Sequence, residues 1–300
     1  MKVVIFGGTG FIGKKLVESL NSKGHEVTVS DVRRDASFGS KIKESDAVIN
    51  LGGFPLFKKR WSTDVMAAIH DSRVSSTRQI VDAMSEAKVS GQVPKVFLNA
   101  SAIGFYGVGG FDQSFNEDSP PSTDFLARVC LAWEDEAFRA QRELDLRTVV
   151  IRIGVVLGEG GGALEKLLPV FKLMQGSLIG TGEQPFSWVH VDDVVGLFVH
   201  ALENESVKGP VNAVAPKVVS NAGFSHKLGE ALSRPQLGLL GPEFFQKAFG
   251  RFVKVMLYVG VGGAAEVIAN GQNVSSKKAT DSGYTFHYSK IENALKDIVS

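Results

Sequence analysis

Residues 3 to 15 read "VVIFGGTGFIGKK", and the spacing of the glycines in this stretch decides the fold. Val3, Val4, Ile5 and Phe6 make a short apolar run of the kind that forms a buried strand, and Phe11, Ile12, Leu16, Val17 and Leu20 then recur at helical spacing. The glycines therefore sit at a strand-to-helix turn, where a helix N-terminus can receive an anion. Two phosphate-binding templates fit the letters. Gly8, Gly10 and Gly13 give G-x-G-x-x-G, the dinucleotide fingerprint, in which glycines allow the tight turn, close approach to a pyrophosphate and helix–strand packing. Gly8, Gly13 and Lys14 also give G-x-x-x-x-G-K, but a nucleoside triphosphatase needs Ser or Thr next to ligate magnesium, and the residue there is Lys15. The dinucleotide template is preferred. A glycine turn with a structural role alone is the remaining alternative, because one such fingerprint is weak by itself.

The chain has 300 residues, 44% hydrophobic and 22% charged, enough for one large or two intimate domains around a sizeable core. Its 33 basic and 32 acidic residues leave a net charge of +1 with no long run of either sign, so neither a nucleic-acid nor an anionic-membrane surface is expected. Cys130 is the only cysteine, which excludes an internal disulfide and fits a reducing compartment. Within an amphipathic helix it reads as a buried, inert thiol. The opening strand leaves no room for a signal or transit peptide, so a cytoplasmic location is expected, with an organelle matrix after processing as the alternative. The most apolar stretch, 236 to 269, is interrupted by Pro242, Glu243, Lys247, Arg251 and Lys254 and does not read as a membrane span.

Strands and helices alternate along the rest of the first half. "HEVTVSD" (25 to 31), "DAVINLGG" (46 to 53), "KVFLNAS" (95 to 101) and "RTVVIRIGVVLG" (147 to 158) read as strands, with helical patterns at 64 to 88 and 125 to 142. These strands are near-continuous apolar runs, as expected where helices cover both faces of a sheet. The fold class is α/β, a doubly wound parallel (Rossmann) sheet, with residues 1–158 as the nucleotide-binding domain. Residues 159–300 are expected to form a smaller C-terminal substrate lobe interleaved with that core. Its segments are a Gly-rich loop running into a helix from 158, a strand and helix over 186 to 205, a strand at 209 to 216, and helical patterns at 221 to 233, 242 to 270 and 289 to 299.

Asp31 ends the second strand at close to the ~20-residue spacing at which an acidic side chain binds the adenosine ribose hydroxyls of NAD. Arg33 and Arg34 follow at once, and an arginine there can pair with the 2′-phosphate of NADP through its planar fork. The residues alone leave both cofactors open.

"GGTGFIG", "AVINLGG", "LNASAIGFYG", "NEDSPP", "VVIRIGVVLG", "WVHVDDV" and "VNAVAP" follow one another in the order found in the extended short-chain dehydrogenase/reductase superfamily. Together with "SRVSSTR" (72 to 78) and "GGALEKLLPVF" (161 to 171), the chain resembles the epimerase-family branch, whose members are described as SulA-like or nucleoside-diphosphate-sugar epimerase-like. The resemblance spans nearly the whole chain. It implies that Gly7, Gly10, Phe11, Ile12 and Gly13 surround the pyrophosphate, with Asp31 and Arg33 at the adenosine ribose. It further implies that Leu51 and Gly52 pass beside the cofactor, that Arg73 reaches back to it, and that Val155 lies near the nicotinamide. The branch tends to use the phosphorylated nucleotide, so NADP is expected, with NAD as the alternative.

One departure from the superfamily bears on chemistry. Its enzymes carry a Tyr-x-x-x-Lys pair on the helix after the fourth strand, the tyrosine acting as acid or base and the lysine lowering its pKa. In "TDFLARVCLAWEDEAF" the corresponding positions are Leu126 and Cys130. What remains near the expected reaction centre is Ser101, at the end of the fourth strand, and Tyr106, and these are the catalytic candidates. Glu117 and Asp118 read as a capping or solvated loop at the pocket rim. Asp192 and Asp193 read as an N-cap and a first-turn charge, and Trp188 and His190 as packed strand or pocket wall. His25, His70, His190, His200, His226 and His287 show no metal-ligand spacing with one another or with Cys130, so no metal is expected. No G-x-S-x-G elbow is present.

Two functions fit these observations. The first is an NADP-dependent oxidoreductase or epimerase acting on a small polar molecule, a nucleotide sugar being one case, through Ser101 and a non-standard proton donor. The second is a regulatory protein of little or no turnover whose bound cofactor sets the conformation shown to a protein partner. A homodimer is compatible with either.

Overall fold

The computed structural model describes residues 1–56, 58–162, 164–165, 181–233 and 270–299. The helical pattern read at 242 to 270, up to residue 269, and the greater part of the one after Gly161 fall outside the described residues.

The first half runs β1 (Lys2–Phe6), α1 (Phe11–Ser22), β2 (Glu26–Ser30), α2 (Phe38–Lys43), β3 (Ala47–Asn50), α3 (Thr63–Val89), β4 (Val96–Ala102), β5 (Ser114–Phe115), α4 (Phe125–Leu144) and β6 (Arg147–Ile153). The second half contributes β7 (Val155–Leu157), β8 (Pro185–Phe186), β9 (Trp188–His190), α5 (Val191–Glu203), β10 (Gly209–Ala213), β11 (Val219–Ser220), α6 (Asn221–Ala231), β12 (Asn273–Val274), α7 (Lys277–Asp281) and α8 (Ile291–Val299). The apolar run at 147 to 158 is thus two strands, because β7 leaves the main sheet at Gly154 to pair with β9. Likewise the third strand stops at Asn50, where the backbone turns into the Leu51–Phe54 loop.

The main sheet has the order β10-β6-β4-β3-β1-β2, and every pairing in it is parallel. Alternation along β1 shows why both faces are apolar. Val3 and Ile5 pack with Leu16, Leu20, Leu197 and Phe198 from α1 and α5, while Val4 and Phe6 pack with Ile80, Met84 and Ala137 from α3 and α4. From β1 the chain proceeds outward to β2 and then returns to the other side of β1 as β3. The strand order therefore reverses between β1 and β3, and the crevice at their carboxyl ends is where such a sheet receives ligands. A separate cluster, including Trp188, Phe224, Leu228 and Leu295, joins β9, α6 and α8 beside the sheet.

One expectation about α5 is corrected by the structure, and Asp193 stands in the first turn as expected. The N-cap of the helix is His190, whose ring accepts the Asp192 amide at 3.2 Å, so Asp192 is not the cap. Asp193 is fully buried and accepts the Tyr284 hydroxyl and the amides of His287 and Tyr288, which ties the C-terminal segment to the core.

Candidate active site

A cavity of about 750 Å³ opens at the β1/β3 switch point, bounded by the glycine loop, the carboxyl ends of β3, β4 and β6, and α3 and α4. Gly7 leaves β1 at φ 81°, a conformation that favours glycine. A Cβ on Gly7 would lie 2.8 Å from the Leu51 carbonyl carbon, and one on Gly13 would lie 2.2 Å from the Gly7 oxygen. Both glycines therefore serve close backbone packing. Gly10 caps α1 with no side-chain hydrogen bond, and the first turn carries no acidic residue. The amides at this helix start lack intrahelical partners and carry the positive end of the helix dipole. Gly7, Gly10, Phe11, Ile12 and Gly13 all line the cavity. Lys15, at the position where a triphosphatase loop carries its magnesium-ligating Ser or Thr, turns away to pair with Asp192 at 2.7 Å.

Beyond the loop, Leu51, Arg73 and Val155 line the cavity. A buried polar chain shapes this wall: Asn50 donates to Asn99 and Thr77 at 2.7 and 2.9 Å, the Trp133 indole donates to Thr77 at 2.9 Å, and Asn50 accepts the Gly52 amide at 3.0 Å. Gly52 is thus fixed behind Leu51 and Gly53 and does not itself line the cavity. Arg73 donates to the carbonyls of Phe54 and Ile69 at 3.2 and 3.0 Å and lies 5.3 Å from the Trp133 ring. Burial lowers its pKa from the ordinary arginine value. An anion in the cavity would relieve that desolvation.

Asp31 and Arg33 lie outside this cavity, on the turn after β2. Asp31 accepts the Arg33 amide at 2.8 Å, and the exposed Arg33 guanidinium stands 3.6 Å from the same carboxylate. Gly8 rests on Val29 of β2, so this turn adjoins the glycine loop.

Ser101 lines the cavity and donates its hydroxyl to Glu134 at 2.6 Å. Arg152 holds both oxygens of Glu134 at 2.9 and 2.8 Å, and each side chain of that pair is 4% exposed. Tyr106 does not reach the cavity. Its hydroxyl donates to Asn212 at 2.7 Å and accepts from Arg152 at 2.9 Å, and burial pushes its pKa up to about 12. The structure therefore brings together Ser101, Glu134 and Arg152, and leaves Tyr106 behind them. Leu126 and Cys130 face the cavity one helical turn apart, and burial pushes the Cys130 thiol up to about 12. Elsewhere, His190, Asp192 and Asp297 gather with ligand atoms within 4.8 Å of one another. Lys15 already neutralises Asp192 there, and the Nδ1 of His190 is committed to its cap.

Residues 3–214 match the NAD dependent epimerase/dehydratase family, and residues 254–298 match a domain of unknown function, DUF1731. The chain belongs to the epimerase/dehydratase family. It is 36% identical to the chloroplastic epimerase family protein SDR39U1 homolog of Arabidopsis thaliana, over all of this chain and 87% of that one. It is 33% identical to the epimerase family protein YfhF of Bacillus subtilis, covering 98% of that protein. The crystal structure of human SDR39U1 with NADPH superposes with a TM-score of 0.84 at 31% identity, covering all of this chain and 99% of that one. No helix among the described residues is long and apolar enough to cross a membrane.

Proposed function

We propose that this member of the family binds NADP(H) in the cavity and acts as a nicotinamide-dependent oxidoreductase or epimerase. The observation that carries the reading is the bare α1 N-terminus at the β1/β3 switch point, supported by the NADPH-bound human relative. Gly10, Phe11, Ile12 and Gly13 would hold the pyrophosphate, Asp31 and Arg33 the adenosine ribose and its phosphate, and Leu51, Gly52, Arg73 and Val155 the remainder. When bound, the nicotinamide supplies hydride chemistry. Ser101 meets the reacting group of a substrate and Glu134 fixes the direction of its hydroxyl. Leu126 and Cys130 exclude water from α4's side, in the positions where the superfamily holds its acid and its ribose-binding lysine.

The second reading, a cofactor-responsive regulator without turnover, is favoured by Tyr106, whose raised pKa and two hydrogen bonds remove it from acid–base work. One experiment separates the two. NADPH at a hundredfold excess over its dissociation constant stabilises the protein by about 2.7 kcal/mol under either reading. Loss of nicotinamide absorbance on adding carbonyl compounds or nucleotide sugars occurs only under the first. Absence of any stabilisation by either nucleotide removes both.

A further inference from the structure

Part of the cavity wall near Ser101 is apolar. Leu126, Val129 and Trp133 from α4, Ile69 from α3 and Ile103 after β4 line it. The Ser101 hydroxyl lies among them, with the Cys130 thiol and the Ala102 backbone beside it and the Arg73 guanidinium close by, and Asp124, Glu165, Asn270 and Gln272 also line the cavity. A ligand hydroxyl laid against these apolar side chains would bear the desolvation cost of a group left unpaired.

The state of the Ser101 hydroxyl follows from its neighbours. Glu134 is held on both oxygens by the Arg152 guanidinium, and a carboxylate in such a pair is ionised and can only accept. In the 2.6 Å contact Ser101 must therefore be the donor. A hydroxyl has one proton. With that proton spent on Glu134, Ser101 can only accept; the neighbouring Cys130 thiol, a weak donor, takes at most one lone pair and leaves the other for the cavity. A carbonyl or ether oxygen placed against it would meet lone pair with lone pair, whereas a hydroxyl would complete a hydrogen bond.

We propose that the compound held at Ser101 is an apolar alcohol or phenol that donates its hydroxyl to Ser101 Oγ, with Glu134 as the positioning residue that selects this donor over an acceptor. The proposal deepens the nicotinamide-dependent reading and rests on it for the reaction. Its donor–acceptor argument is tested without one.

The test uses phenol and anisole, which differ by replacement of the hydroxyl proton with methyl, and toluene, which has phenol's shape and no polar group. None of them exchanges hydride with NADPH. The full chain is titrated with each, with and without saturating NADPH, through the fluorescence of Trp61 and Trp133, which line the cavity. Phenol is expected to bind about tenfold more tightly than anisole, the scale of one net hydrogen bond. Ser101→Ala brings the two within about twofold. In Glu134→Leu/Arg152→Met, Ser101 loses the acceptor for its proton, which is released to the cavity, so anisole gains and the ratio falls. Should that variant fail to fold, Ser101→Ala carries the decision alone. Equal binding of phenol and anisole to the parent protein, a phenol preference that survives Ser101→Ala, or no binding by any of the three overturns the proposal. NADPH stabilisation measured on the same samples keeps the two readings apart. Its absence with the phenol preference intact sinks the nucleotide reading, and its presence without the preference sinks this one.

Discussion

Arg152 and Glu134 form a bidentate ion pair at 2.9 and 2.8 Å, on neighbouring structural elements and almost wholly out of water. Neither charge meets another opposite charge among these contacts: Arg152 otherwise donates to the Tyr106 hydroxyl and the Glu117 carbonyl and lies 3.6 Å from the centroid of the Phe105 ring, and Glu134 otherwise accepts the Ser101 hydroxyl. Removing one partner leaves the other buried and unpaired. Glu134→Ala and Arg152→Ala are each expected to cost about 3 to 5 kcal/mol in urea denaturation. The double variant Glu134→Leu/Arg152→Met should cost much less than the sum of the two single changes, because no charge is left behind. Additive losses would show that the pair is not the coupled unit described.

Gly10 and Gly13 occupy one turn and answer differently to substitution. A Cβ on Gly13 would lie 2.2 Å from the Gly7 oxygen, backbone against backbone, whereas one on Gly10 would come no nearer than 3.3 Å to any atom. Gly10 also has φ −75°, which any residue adopts. Gly13→Ala is therefore expected to lower the unfolding midpoint more than Gly10→Ala does, and Gly10→Val to block the pyrophosphate. Thermal unfolding with and without NADPH reads both effects. A Gly10→Val protein still stabilised by NADPH would falsify the placement of the diphosphate.

The parallel sheet and the glycine loop were legible in the sequence because each rests on local spacing: apolar runs of strand length, helical recurrence, and glycines between them. Ser101 and the loss of the Tyr and Lys at Leu126 and Cys130 were legible through the resemblance. Glu134 and Arg152 were not singled out, although a signal existed. "VVIRIG" places a charge near the end of an otherwise apolar, buried strand, and such a charge needs a partner. Which acidic residue supplies it depends on the side-by-side packing of α4 and β6, which no local pattern encodes. The placement of Tyr106 off the cavity was not legible for the converse reason, since proximity in sequence to Ser101 says nothing about which side of the 103–106 turn faces the cavity. His190 as the cap of α5 was equally hidden, because histidine is not among the usual capping residues.

His190 should give the protein an acid limb in its stability. Burial disfavours the charged ring and lowers its pKa, against the opposing influence of Asp192, Asp297 and Asp193, while Lys15 acts in the same direction as burial. The unfolded chain then binds the proton more readily than the folded one. Stability is constant above the unfolded value of about 6.5 and declines as pH falls below it. His190→Asn keeps an acceptor for the Asp192 amide and removes the titrating ring. Unfolding free energy measured from pH 7.5 to 5 should therefore fall less steeply in the variant. Parallel curves for the two proteins would clear His190 of the effect.

Nucleotide preference should be decided on the turn after β2. Asp31 would bind the ribose hydroxyls of NAD and repel the 2′-phosphate of NADP, but its Oδ1 already accepts the Arg33 amide, and the Arg33 guanidinium stands 3.6 Å away. That guanidinium offsets the carboxylate and remains exposed, able to grip a phosphate with its fork. A charge-assisted hydrogen bond contributes about 1.5 to 3 kcal/mol, so Arg33→Ala is expected to weaken NADPH about 10- to 100-fold. NADH binding should hold or improve, since Asp31 is then released toward the ribose. Arg34→Ala serves as the neighbouring control, because the observed Arg34 contact on this turn is its own amide on the Asp31 carbonyl. Calorimetric titration of both nucleotides into the three proteins reads the ratio directly. An unchanged ratio in Arg33→Ala with a shifted one in Arg34→Ala would move the phosphate contact one residue along the turn, and no shift in either would remove it from this turn altogether.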